Sequence, residues 1–180
     1  MSHPEYGRVT ELFDGWLQQS TPSVQCAKVV SRRDIEPVNL SFDTLSTIAC
    51  CSISGLVHPR DRGYGNDVWR AMNGDQIQYI CRVQPVEAYS LMLRAACLGG
   101  VYGWRRRSAY GRLEVLGAMS ALAGLDESAT WAEIDRVAQE CTWFVYHPRR
   151  HEYYVIDELC LIVLRPDRRT LFIVDAVDVD

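Results

Sequence analysis

The residues best equipped for chemistry lie between Ala88 and Leu113, a stretch with no acidic residue that carries Arg94, Arg105, Arg106, Arg107 and Arg112. Gly99-Gly100-Val101-Tyr102-Gly103-Trp104 supplies backbone freedom and two aromatic faces ahead of three consecutive arginines, and Ser108 is suited to cap a following helix. A glycine-rich loop that feeds a helix N-terminus aims free N–H groups and the positive end of the helix dipole at one point, and guanidinium groups add bidentate donors for phosphate or carboxylate. Tyr102, Trp104 and Tyr110 interleave with the arginines and offer faces for a flat ligand. The candidate ligand-binding set is therefore Tyr102, Trp104, Arg105, Arg106, Arg107, Tyr110 and Arg112. A phosphate-loop signature is absent, because the G-x-x-x-x-G-K-[ST] spacing and its lysine are missing and no strand pattern precedes the glycines. The plainer alternative is a solvated basic turn, with Trp104 and Tyr110 in the core and the arginines paired to acids such as Glu87 or Glu114.

Other constellations carry less. His147 and His151 are four apart but flank Pro148 in a turn pattern, so they do not make a helical metal pair; Cys141 or Asp157 would have to complete a zinc site. His58 has the chemistry of a base with Asp61 to orient it, but no nucleophile is identifiable nearby in sequence. Asp175, Asp178 and Asp180 alternate with Val177 and Val179, which reads as a strand with one wet, acidic face that discourages edge pairing rather than as a cation site. The seven cysteines include no C-x-x-C pair and read as small buried hydrophobes; Cys50 and Cys51 sit on a helix pattern. No metal and no cofactor is indicated, and no catalytic residue can be assigned.

Composition narrows the class. The 180 residues are 48% hydrophobic and 23% charged, enough for one core in a single domain spanning 1–180. A net charge of −4 disfavours nucleic acid as a partner, and Lys28 is the one lysine among 19 basic residues. No run of about 18 apolar residues exists to span a membrane. Met1-Ser2-His3-Pro4-Glu5 lacks the pattern of a signal peptide, so a cytoplasmic protein is expected.

The elements that must position these residues follow from periodicity. Tyr6, Val9, Leu12, Phe13, Trp16 and Leu17 predict an amphipathic helix over 5–19. Residues 24–31 are ambiguous. Ser41 opens a helix with Leu45, Ile48 and Ala49 inward, and Gly55 stops it. His58 to Asn66 is a loop, and Asp67 to Asn73 and Gln76 to Arg82 read as two short helices. Pro85 starts a helix with Val86, Tyr89, Leu93, Ala96 and Cys97 on one face. A further helix covers Ala109 to Ala123, with Leu113, Leu116, Met119 and Leu122 inward and Gly124 beyond its end. Thr130-Trp131-Ala132-Glu133 is a capping box for a helix that presents Trp131, Ile134 and Val137.

Residues 141–180 read as strands: Thr142 to Tyr146 and Tyr153 to Ile156 form one hairpin, and Leu159 to Leu164 and Leu171 to Val174 another, turning at Arg165-Pro166-Asp167-Arg168-Arg169. Trp131 and Leu161 are expected in the core. The fold class is α+β, with a mainly helical part over 1–140 packed on a small antiparallel sheet over 141–180.

Gly99-Gly100-Val101-Tyr102-Gly103, Ser108-Ala109-Tyr110-Gly111-Arg112-Leu113 and the ending from Leu164-Arg165-Pro166-Asp167-Arg168-Arg169 through Asp175-Ala176-Val177-Asp178-Val179-Asp180 resemble an actinobacterial family classed as a domain of unknown function, over about the C-terminal half. The resemblance implies a cytoplasmic bacterial protein and brings no catalytic residues. The function expected from the residues is a non-catalytic binding or regulatory protein whose surface from Gly99 to Arg112 contacts an anionic small molecule or an acidic protein partner. The rival is an enzyme acting on a phosphate- or carboxylate-bearing small molecule, with Arg105, Arg106 and Arg107 as clamp and Tyr102, Tyr110 or His58 as proton donor. Nucleic-acid binding is a third, less favoured reading, and oligomeric state is open.

Overall fold

Six consecutive side chains, Leu159 to Leu164, are all at most 3% exposed, so the strand that carries them is covered on both faces. The computed structural model describes residues 4–13, 23–54, 77–98, 108–148 and 155–179. Its sheet has five strands: β1 (Ser23–Val30), β2 (Ile77–Val83), β3 (Thr142–Pro148), β4 (Val155–Leu164) and β5 (Thr170–Val179). Their order is β1-β5-β4-β3-β2, and every neighbouring pair is antiparallel. The helices are α1 (Pro4–Thr10), followed by a 3-10 turn at Glu11–Phe13, α2 (Phe42–Ser54), α3 (Pro85–Leu98), α4 (Ser108–Ala123) and α5 (Trp131–Glu140). The protein is α+β, but two of its strands lie in the N-terminal half, one at each edge of the sheet. Among the described residues no helix is long and apolar enough to cross a membrane.

Alternation along the strands sorts the core into two layers. Leu159, Leu161 and Val163 of β4, Trp143 of β3 and Phe172, Val174 and Ala176 of β5 pack on one face with α1, α3, α4 and α5. Cys160, Ile162 and Leu164, with Phe144, Tyr146, Leu171 and Ile173, pack on the other face with Leu45 and Ala49 of α2. Each such aliphatic side chain stabilises the fold by about 1.5–3 kcal/mol of transfer free energy.

Both edge strands differ from the sequence reading. The ambiguous stretch 24–31 is β1, paired with β5 from Ser23↔Val177 to Val30↔Thr170. The helix expected over Gln76 to Arg82 is β2, paired with β3. The register slips between Ile77 and Tyr79, and this bulge lets Ile77 and Ile80, three apart, pack against the same layer. That spacing imitates a helix. The 5–19 helix is observed as α1 and its 3-10 turn, with Val9, Leu12 and Phe13 buried; Trp16 and Leu17 lie outside the described residues. So do the loop 58–66, including His58 and Asp61, the helix expected over 67–73, and Gly55.

Helix α3 starts at Pro85 as expected, but its buried residues are Ala88, Met92, Ala95 and Ala96, while Val86 is exposed. On α4 Met119 and Leu122 are buried as expected, together with Val115, Ala118, Ala121 and Ala123, whereas Leu113 is exposed. The two helices meet through small residues: a Cβ on Gly111 would stand 2.7 Å from Cys97 Sγ and 3.7 Å from Ala96 Cβ. Close approach of small residues, not the largest side chains, sets both inward faces. The α5 capping box is complete, with Glu133 N donating to Thr130 Oγ1 and Thr130 N donating to Glu133 Oε2. Ile134 and Val137 are buried as expected, whereas Trp131 is 57% exposed.

The strands expected over 153–156 and 159–164 are parts of one strand, β4, with a register shift between Val155 and Asp157. The β4–β5 turn is as the sequence suggests: Arg168 N donates to the Arg165 carbonyl, Asp167 Oδ1 accepts from the N–H of Arg169 and Thr170, and Arg168 takes φ 54°. β5 is not an edge, since β1 covers it, and Asp175 is 5% exposed rather than on a wet face.

Candidate functional site

Arg8 lies in the last turn of α1 and crosses to the C-terminal part of α4. Its Nη1 donates to Ser120 Oγ at 3.1 Å and its Nη2 to the Leu125 carbonyl at 2.9 Å. Ser120 gives its own proton to the Asp126 carbonyl at 2.8 Å. The third guanidinium donor, Nε, is buried and makes no hydrogen bond. Both acceptors are neutral, so among the described residues this half-buried cation faces no carboxylate at ion-pair distance, unlike Arg165, Arg168 and Arg169. A buried donor left unmade costs about 1–3 kcal/mol.

The guanidinium opens on a cavity of about 260 Å³. Leu113, Leu116 and Gly117 of α4 form one wall, Trp131 and Ile134 of α5 another, and Glu127 and Ala129 belong to the α4–α5 connection. The Trp131 ring is held edge-on to Tyr89 of α3, centroids 6.3 Å apart. A Cβ on Gly117 would meet nothing within 4 Å, so this glycine leaves the wall recessed. Asp126, next to Glu127, is held below the ordinary carboxylate range by the Ser128 hydroxyl and N–H, with a further contribution from Arg8. The arrangement pairs one underused cation with an apolar, half-enclosed surface and can take a small acid.

Neither of the two described members of the sequence-predicted set lines this cavity. Tyr110 and Arg112 stand exposed on the first turns of α4, just ahead of Leu113. Two residues apart on a helix, they point to different sides and do not form one clamp. Tyr102, Trp104, Arg105, Arg106 and Arg107 lie outside the described residues, on the segment that leads into Ser108. Of the acids suggested as structural partners, Glu87 Oε2 accepts from the Gln84 N–H at 2.7 Å. Arg8 went unnoticed in sequence because a lone arginine on an amphipathic helix is ordinarily solvated; what marks it is tertiary.

A second polar group sits on the opposite face of the sheet. The Tyr146 hydroxyl lies 3.0 Å from Asp175 Oδ2, and both residues are buried. His147 pairs with Glu158 and stacks on Tyr79, centroids 5.4 Å apart. Cys141, suggested as a zinc partner for His147, is buried just ahead of β3, where burial pushes its thiol up to about 12. Burial likewise pushes the Cys26 thiol up to about 12. Cys81, on the β2 edge, is exposed and departs from the expectation of buried cysteines. His151 and the side chain of Asp157 lie outside the described residues, as do the side chains of Cys50 and Cys51.

Fold and cavity together define an α+β protein with a five-stranded antiparallel sheet covered by helices on both faces. The chain belongs to the family of unknown function DUF6183, which it matches over residues 2–180. The match spans the whole sheet and the cavity, not the C-terminal half alone. Comparison with curated proteins and with solved structures yields no match.

Proposed function

We propose that the protein is a non-catalytic binding protein that takes up an anionic ligand, with Arg8 as the charge that meets it. The reading is carried by one observation: a half-buried arginine that lines a cavity and whose guanidinium is bonded to neutral acceptors alone among the described residues. An arriving carboxylate or phosphate gains a charge-assisted hydrogen bond there without first displacing an internal acid. Arg112, exposed with Tyr110 on the first turns of α4, adds positive charge at the other end of the same helix and would help to draw an anion, or an acidic protein surface, toward the molecule. Binding is favoured over catalysis because the described lining contains no histidine or cysteine and the Ser120 proton is committed to a carbonyl.

The test is ligand-induced melting shift with hexanoate, inorganic phosphate and an oligoglutamate peptide, on wild type, Arg8→Met and Gly117→Leu. At least one anion is expected to raise the melting temperature of the wild type saturably. Arg8→Met, which removes the charge, and Gly117→Leu, which fills the cavity, are expected to abolish that rise. Equal shifts in all three proteins, or none in the wild type, overturn the proposal.

A further inference from the structure

The cavity that holds Arg8 is also lined by Glu127. The two opposite charges share one small space, yet they form no ion pair with each other, and Glu127 makes no hydrogen bond or ion pair with any other described residue. Fixed charges of opposite sign that border a cavity without meeting are complementary to a ligand that carries both signs itself. The rest of the lining is apolar: Leu113, Leu116, Trp131 and Ile134. At about 260 Å³ the cavity falls below the range that takes drug-sized molecules, so the guest must be smaller.

From this we infer that the ligand is a zwitterion of the α-amino acid class with an apolar side chain. The inference rests on the anion-binding reading above and narrows it. The carboxylate engages Arg8 through the N–H groups of Nη1 and Nη2 that Ser120 and Leu125 leave over; the ammonium faces Glu127, with the Trp131 ring as a neighbouring cation-attracting surface; and the side chain lies on Leu113, Leu116 and Ile134. The partition of roles follows from burial: Arg8 is half-buried and Glu127 is exposed, so the carboxylate supplies most of the affinity and the ammonium most of the discrimination. Bulky additions are limited by the α4 wall at Gly117, where even one side chain competes for the space.

The experiment is isothermal titration of the full chain with L-leucine, with 4-methylpentanoate, which lacks the amine, and with isopentylamine, which lacks the carboxylate. Expected is an order leucine, then the acid, then the amine, with the amine weaker than leucine by at least about tenfold and the acid by about fivefold. Glu127→Gln should erase the difference between leucine and the acid while leaving the acid unchanged, and Arg8→Met should weaken both. If the acid binds as tightly as leucine and Glu127→Gln changes neither, the zwitterion inference is overturned while anion binding stands. If none of the three binds but hexanoate or phosphate does, this inference fails alone. If no anion binds at all, both fail. Glu127 is exposed and makes no bonds, so its variant carries no folding penalty that would obscure the result.

Discussion

At the scale of single residues, Arg165 binds more of the molecule together than any polar side chain described above. It is 8% exposed; its Nη2 and Nε donate to the carbonyls of Ala121 and Leu122 at 2.6 and 3.0 Å, and its guanidinium meets Glu5 at 3.3 Å and lies over the Phe172 ring. It thus caps the C-terminus of α4, where Gly124 at φ +86° lets the chain turn away against the guanidinium. Burial pushes the Glu5 carboxyl up, but hydrogen bonds and charges from Arg165 and Lys28 outweigh it and hold it below its ordinary value of 4.5. A carboxyl lowered on folding stabilises fully above its unfolded pKa, and that contribution is lost as pH falls below 4.5 through the lower folded value. Glu5→Gln is therefore expected to be less stable than wild type near neutrality, with the gap closing below pH 4.5; denaturant melts across that range check it, and a constant gap refutes it. The sequence announces Arg165 only as a turn residue, because its partners are 43 and 160 residues away. Thr130 and Glu133, whose partners lie within one turn, were legible. Trp131 beside them was not, since size alone says nothing about which side of a helix remains uncovered.

At the scale of elements, two glycines on α4 face opposite situations. Gly111 abuts Cys97 Sγ, so a methyl group there forces that sulfur out of its packed position between the helices; Gly111→Ala is expected to cost about 1–3 kcal/mol. Gly117 borders open space, so Gly117→Ala should stabilise by about 0.5–1 kcal/mol through helix propensity alone. Urea melts of the two variants should move in opposite directions, and a shift of the same sign in both would contradict the packing described for α3 and α4. The existence of these helices was readable from Pro85, Gly124 and their apolar content. Their inward faces were legible only in part: Ala96, Met119 and Leu122 are buried as expected, but other alanines and Gly111 rather than Val86 and Leu113 complete the contact. β2 was hidden by its bulge, and β1 by the polar Gln25 and Lys28 of a strand whose partner is remote in sequence.

At the scale of the whole molecule, the sheet is sandwiched, and adjacent residues of β4 report on the two layers separately. Leu161 packs under α1, α3, α4 and α5, and Ile162 under α2; both are 0% exposed. Leu161→Ala and Ile162→Ala are each expected to lower the unfolding free energy by about 2–5 kcal/mol. A small loss for Ile162→Ala would mean that the α2 layer is not a core. Antiparallel C-terminal strands were legible in the sequence, though as two hairpins rather than three consecutive strands, and their apolar runs pointed to cover on at least one face where the structure has helices on both. What the sequence withheld is that both edge strands come from far upstream and that α2 covers the second face. The pairing of β1 with β5 has a consequence for biosynthesis. As the chain leaves the ribosome, Ser23–Val30 emerges with no template to join, because its hydrogen-bonding partner Thr170–Val177 is made much later. Until then an incomplete nascent sheet exposes one unsatisfied margin, so the sheet cannot close before β5 has been synthesised, and that waiting strand is the part of the growing polypeptide most open to mispairing.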